Sequence, residues 1–196
     1  MLNKARRDLV RRVNEFPVKL LVRTGLSPNV LTVSGLVVSV LVAWLLSQGH
    51  FFLGGFLVLF SGAFDLLDGA LARATGRSNK FGALLDSTID RLSEAAILLG
   101  LLSFYVNQAS YQEPMLVGAA LIGSVMTSYV RARAEGMNLK CEVGVFTRPE
   151  RVILLAIGLI FNQMIVILWL IAVLGNLTAF QRLFYVWQQT KQGKGE

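Results

Sequence analysis

The sequence predicts an all-α integral membrane protein, with six transmembrane helices preceded by an amphipathic helix lying at the membrane interface. Three observations predict it. Of 196 residues, 54% are hydrophobic and only 16% charged, with mean hydropathy +0.58, too apolar for a soluble domain of this length. The apolar residues fall into long runs separated by short polar turns. The nineteen Lys and Arg residues are confined to the segments that six crossings would place on one side, plus Arg91 inside the third run.

Residues 3–23 set basic residues against Leu9, Val10, Val13, Phe16, Leu20 and Leu21 at roughly helical spacing, which predicts a juxtamembrane helix broken near Pro17. A solvated charged helix is the plainer alternative. The N-terminus is long and basic, so no cleavable signal peptide is expected. Ser27 and Pro28 make a turn, and Asn29 or Thr32 is placed to cap the first span or to bind a ligand there. Span one is expected from Val30 to Leu46, and span two from Phe51 through a first pair of aspartates. The third span runs from Phe81 to Val106, the fourth from Met115 to Val130. Val152–Phe161 is too short to cross alone at about 1.5 Å per residue. It must borrow from its polar flank or be shielded by neighbours. Met164 to Phe184 returns as the sixth span, and residues 188–196 read as a flexible tail. The chain shows no internal repeat, and 30–187 reads as one six-helix bundle within a single domain.

The charge distribution orients this bundle. Segment 1–29 holds seven Lys or Arg, the turn with Arg73, Arg77 and Lys80 three, and Arg131 to Arg151 five, while the three opposite loops hold none. Both termini are therefore expected in the cytoplasm. Net charge is +7, but the basic residues lie between apolar runs and suit headgroups or anionic substrates, so nucleic acid is not an expected partner. Cys141 is alone, which excludes a disulfide framework and a Cys-based metal site, and the single His50 falls in a short loop and reads as a solvent-exposed histidine, not a ligand.

Against this background the stretch FDLLDGALARATGRSNKFGALLDSTID, residues 64–90, stands out. At about 100° per residue Asp65 and Asp68 share a face of span two, and Asp86 and Asp90 share a face of span three. An aspartate at a bilayer centre costs roughly 2.5 to 3.5 kcal/mol, so four argue for a purpose beyond packing. A hard divalent cation bound by carboxylate oxygens offsets that cost. A structural ion-pair network with Arg73 and Arg91 is the alternative. The fourteen residues Phe51 to Phe64 span about 21 Å of a core roughly 30 Å thick, which puts the aspartates in the inner leaflet, open to cytoplasm and to a lipid arriving sideways.

The punctuation around these residues resembles the signature of the CDP-alcohol phosphotransferases: Asp65, two residues, Asp68, Gly69, two residues, Ala72, Arg73, then Gly82, Asp86 and Asp90. The resemblance implies a six-helix membrane enzyme, often a homodimer, with one or two Mg²⁺ or Mn²⁺ ions between helices two and three. It implies displacement of CMP from CDP-diacylglycerol, or its archaeal ether analogue, by an alcohol hydroxyl. By matching position, Asp65, Asp68 and Asp86 are expected metal ligands, and Asp90 the general base and a contact to a second metal. Asn29, Thr32, Gly69, Arg73, Ser78 and Asn79 are expected to hold the CDP-lipid.

A second resemblance covers SYVRARAEG at 128–136, RPER at 148–151 and QRLFYVW at 181–187. These segments are similar to the subgroup whose acceptor is inositol phosphate. It implies an acceptor-phosphate pocket of Ser128, Arg131, Arg133, Pro149, Arg151 and Arg182, in which Arg131 stands where lysine is usual and Thr147 replaces an acidic residue. Ordinary anchoring by the positive-inside bias is the alternative for these arginines, and a helix-end snorkel for Arg182. Glu94 is expected to pair with a neighbour such as Arg91. Competing functions are the same chemistry on glycerol 3-phosphate, an Asp-rich prenyltransferase, and a cation carrier. The carrier is disfavoured by the apolar outer halves, Phe51 to Phe64 and Leu98 to Val106.

Overall fold

Six helices account for nearly all of the residues described by the computed structural model, namely 21–22, 25–76 and 79–191, with the side chain of Leu66 excepted. The expected interfacial helix at 3–23 lies outside them apart from Leu21 and Val22, and so do Arg77, Ser78 and the residues after Lys191. The helices are α1 (Pro28–Ser47), α2 (Phe51–Ala74), α3 (Lys80–Asn107), α4 (Gln112–Glu135), α5 (Arg148–Ile160) and α6 (Met164–Lys191). Each expected span is matched by one helix. The sixth runs further than expected, because nothing between Phe184 and Lys191 breaks a helix, so Gln188–Lys191 is helical and not tail.

Local chemistry sets the ends. Ser27 caps α1, its hydroxyl accepting from the Val30 N–H at 3.3 Å, with Pro28 at a first-turn position that needs no N–H. That cap leaves Asn29 and Thr32 free of the capping task. Gly76, at φ +65°, reverses the chain after α2, and Asn79 caps α3 by accepting from Gly82 N at 2.6 Å. A reciprocal pair opens α5: the Glu150 carboxylate accepts from the N–H of Thr147 at 2.9 Å.

The helices pack as a closed ring in the order α1, α3, α4, α6, α5, α2 and back to α1. The α4–α6 and α1–α3 contacts are the most extensive. At the α1–α3 crossing a side chain on Gly100 would sit 2.3 Å from the Ala43 carbonyl oxygen, so only glycine permits this approach. The ring's interior is filled by Leu46, Leu98, Leu101, Leu159 and Leu168, all shut off from solvent, while Val40, Trp44, Phe52, Phe56, Ile122, Val173 and Phe180 face outward. An outer surface this apolar suits acyl chains and not water.

Among the described residues four helices are long and apolar enough to cross a membrane: α1, α2, α4 and α6. α3 is long but carries Asp86, Asp90, Arg91 and Glu94, and α5 has only 13 residues, about 20 Å. Both helices that fall short bring charge to the site: α3 carries Asp86 and Asp90, and α5 carries Arg148 and Arg151.

Candidate active site

The site lies where the C-terminal half of α2, the N-terminal half of α3 and the first turn of α5 meet, flanked by the start of α1 and the ends of α4 and α6. On α2, Asp68 is buried at 3% exposure, and the Thr32 hydroxyl of α1 donates to its Oδ2 at 2.7 Å. Asp65, nearly one turn earlier, is held by Arg148 at the start of α5, with Nη1 2.5 Å from its Oδ2. The same Nη1 lies 2.8 Å from Asp90 Oδ1 of α3. That approach is off the N–H direction, so Asp90 Oδ1 is buried without a hydrogen bond. Asp65, Asp68 and Asp90 each lie close enough to feel the charge of Asp86. The four aspartates therefore converge as their spacing predicts, but Arg148 draws Asp65 and Asp90 together while Thr32 holds Asp68 apart.

Among the described residues no three acidic side chains enclose a common point tightly enough to hold an ion as they stand. The donor set still fits a hard divalent cation: four carboxylates on two helices consecutive in the chain, with one guanidinium between Asp65 and Asp90. Asp65, Asp68, Asp86 and Asp90 are the residues able to supply its ligands.

Two recesses open on either side of this cluster. One, of about 200 Å³, is lined by Asn29, Thr32, Asp68, Gly69, Arg73, Asn79, Gly82 and Asp86. It gathers every residue expected to hold the CDP-lipid except Ser78, which lies outside the described residues. Gly69 presents bare helix backbone to this recess, and only the Arg73 Nη1 would lie within 3.4 Å of an added methyl. Gly82 lets the side chains of Asn29 and Asn79 approach its α-carbon, where a Cβ would stand 3.4 and 3.3 Å from their Oδ1 atoms.

The second recess, of about 270 Å³, is lined by Asp90, Thr127, Ser128, Arg131, Arg148, Pro149, Arg151 and Arg182. Arg133 does not line it: two residues beyond Arg131 is about 200° around the helix, which exposes Arg133 on another face. Arg182 is buried at 5% exposure and donates to the Val143 and Thr127 carbonyls at 2.8 and 2.7 Å, so it ties α6 to α4 and does not snorkel. Arg151 is buried at 3% and donates through Nε and Nη2 to the two oxygens of Glu94 at 2.6 and 2.9 Å, and to Ser124 Oγ at 3.1 Å. Its Nη1 is buried without a partner. The expected Glu94–Arg91 pair is thus not formed, because Glu94 turns inward to Arg151 while Arg91 donates to the Ser87 carbonyl and approaches Asp90 at 3.9 Å. Arg131 pairs on the surface with Glu135 at 2.8 Å.

Sequence reasoning missed Arg148 and Glu94 as members of the site. A signal for Arg148 existed: a cation in the first turn of a helix opposes the helix dipole and needs an anion to hold it there.

Comparison with known proteins agrees with this geometry. Residues 25–186 match the family model described as CDP-alcohol phosphatidyltransferase. The chain is 37% identical to archaetidylinositol phosphate synthase of Pyrococcus horikoshii over 98% of this chain and 100% of that protein. It is 35% identical to phosphatidylinositol phosphate synthase of Mycobacteroides abscessus over 92% of this chain and 86% of that one. The crystal structure of Mycobacterium tuberculosis phosphatidylinositol phosphate synthase with CDP-DAG bound superposes with a TM-score of 0.83 at 36% identity, covering 90% of this chain and 94% of that one. The same enzyme in complex with manganese and citrate superposes with a TM-score of 0.80, covering 89% and 88%. With the signature aspartates gathered between α2 and α3 and the family model spanning most of its length, this chain is a membrane-integral member of the CDP-alcohol phosphatidyltransferase family.

Proposed function

We propose that the protein transfers the phosphatidyl group, or its ether-lipid counterpart, from a CDP-linked lipid to a hydroxyl of inositol phosphate, releasing CMP. The observation that carries this reading is that the two recesses meet on a single turn of α3. Asp86 lines the side with Gly69 and Arg73, and Asp90 lines the side with Arg131, Arg148, Arg151 and Arg182. A diphosphate seated in the first recess would present its reacting phosphorus toward a hydroxyl held in the second.

Asp65, Asp68 and Asp86, with Asp90 on occasion, would hold Mg²⁺ or Mn²⁺, which when bound neutralises charge on the diphosphate as CMP departs. Asp68, which accepts from Thr32 in the first recess, would turn from there to join the ligand set. Asn29, Arg73 and Asn79 would bind the nucleotide and its phosphates, and Gly69 would let the cytidine lie against the helix backbone. Asp90, whose Oδ1 has no hydrogen bond, would take the proton of the attacking hydroxyl. Ser128, Arg131 and Arg151 would hold the acceptor's phosphomonoester, a dianion that calls for several guanidinium groups. Pro149 and Arg182 shape the wall behind it, while Arg133 would serve the surface.

Support for membrane topology comes from the outward apolar faces of all six helices and the Lys and Arg distribution. In this reading all six cross as one catalytic domain, both termini and the site face the cytoplasm at the cell membrane, and residues 3–23 lie in the interface. The working unit is a homodimer, an expectation carried by the family alone.

The test is CMP release by detergent-purified protein supplied with CDP-diacylglycerol. Release should require Mg²⁺ or Mn²⁺ together with inositol phosphate, and Asp90→Asn should abolish it while CDP binding persists. Release with glycerol 3-phosphate and none with inositol phosphate would overturn the acceptor assignment. Undiminished release by Asp90→Asn would remove the base.

A further inference from the structure

One guanidinium occupies the place where carboxylates of two helices meet. Arg148 Nη1 touches Asp65 of α2 and Asp90 of α3 together. It stands in the first turn of α5, where the helix dipole disfavours a cation, so the carboxylates are what draw it inward. Its hold is incomplete, since its Nε is buried without a hydrogen bond. The side chain also lines the arginine-rich recess beside Ser128, Arg131 and Arg151, so a second anionic site lies within its reach. A cation bound by Asp65 and Asp90 and a guanidinium bound by the same two oxygens exclude each other, by volume and by like-charge repulsion.

We propose that Arg148 is a built-in counter-ion of the acidic cluster, which a divalent cation displaces and which then turns to the phosphate in the neighbouring recess, so that metal and phosphomonoester bind cooperatively. The exchange keeps the buried charges paired in both states. Without metal, Arg148 offsets one of the two negative charges of Asp65 and Asp90. With metal, the carboxylates are neutralised by the ion and Arg148 needs an anion, which the acceptor's phosphate provides. The coupling is reciprocal, so phosphate must tighten metal to the same degree that metal tightens phosphate. This inference rests on the metal-site reading above.

The experiment is Mn²⁺ titration of the full-length protein in detergent, without nucleotide, following free Mn²⁺ by electron paramagnetic resonance with and without inorganic phosphate. Arg148→Ala should bind Mn²⁺ about tenfold more tightly than the natural chain, since it removes the competing charge. Arg148→Gln should change affinity in the same direction and keeps a polar side chain if alanine impairs folding. Arg133→Ala, which removes an exposed charge on another face of α4, should leave Mn²⁺ affinity within about twofold, as expected of a solvent-screened charge. Phosphate should tighten Mn²⁺ severalfold in the natural chain and less in either Arg148 variant. Equal or weaker Mn²⁺ binding by both Arg148 variants, or an undiminished phosphate effect, overturns the proposal. A natural chain that binds no Mn²⁺ overturns the metal site itself.

Discussion

Replacing Glu94 by Gln tests how the arginine recess is built. Glu94 accepts from Arg151 at 2.6 and 2.9 Å, and both side chains are nearly closed to solvent, at 9% and 3% exposure. Glutamine keeps the shape and one carbonyl acceptor but removes the charge, leaving a buried guanidinium uncompensated. Breaking a buried pair from one side costs about 3–5 kcal/mol, and the retained acceptor places this variant near the lower figure. Replacing both partners, Glu94→Leu with Arg151→Met, removes both buried charges. Stability should then return to within about 2 kcal/mol of the natural chain, while phosphate binding in the recess is lost. Denaturant unfolding in mixed micelles, followed by the fluorescence of the three tryptophans, reads these differences. A Glu94→Gln variant destabilised by less than about 1 kcal/mol, or a double variant no more stable than the worse single one, would refute the buried-pair reasoning.

Gly69→Ala should stabilise α2 by about 0.5–1 kcal/mol through helix propensity, since its methyl meets only the flexible end of Arg73 at 3.4 Å. It should at the same time raise the KM for the CDP-lipid, because that methyl projects into the nucleotide recess; unfolding and initial-rate measurements check the two halves separately. Gly100→Val should do the opposite kind of damage. A Cβ 2.3 Å from the Ala43 carbonyl forces α1 and α3 apart, and well over 2 kcal/mol of stability should be lost with no substrate-specific change in KM.

How far the sequence revealed this architecture depended on the range of the interaction concerned. The aspartate pairs were legible because three- and four-residue spacings fix a helix face, and the four apolar spans α1, α2, α4 and α6 were legible because lipid-facing helices need continuous apolar length. Arg133 misled because a motif is read as a string, whereas two residues along a helix turn the side chain away from Arg131. Glu94 misled because Arg91 is its neighbour along the chain, while the observed partner, Arg151, is 57 residues away and becomes a neighbour only when the ring of helices closes. Arg148 reaches Asp65 and Asp90 for the same reason. Thr147 serves as the N-cap that sets Arg148 and Arg151 on the first turn of α5. The end of α6 was misplaced because polarity after Trp187 suggested a tail, yet Gln, Thr and Lys continue a helix without strain.

The most direct measurement of the central claim is an anomalous-scattering map of the protein crystallised with Mn²⁺ and CDP. A peak coordinated by carboxylate oxygens of Asp65, Asp68 and Asp86, in contact with the diphosphate and with Arg148 withdrawn from Asp65, is the predicted result. A bound nucleotide with no metal peak among these aspartates, or with Arg148 still seated on Asp65 and Asp90, would contradict it.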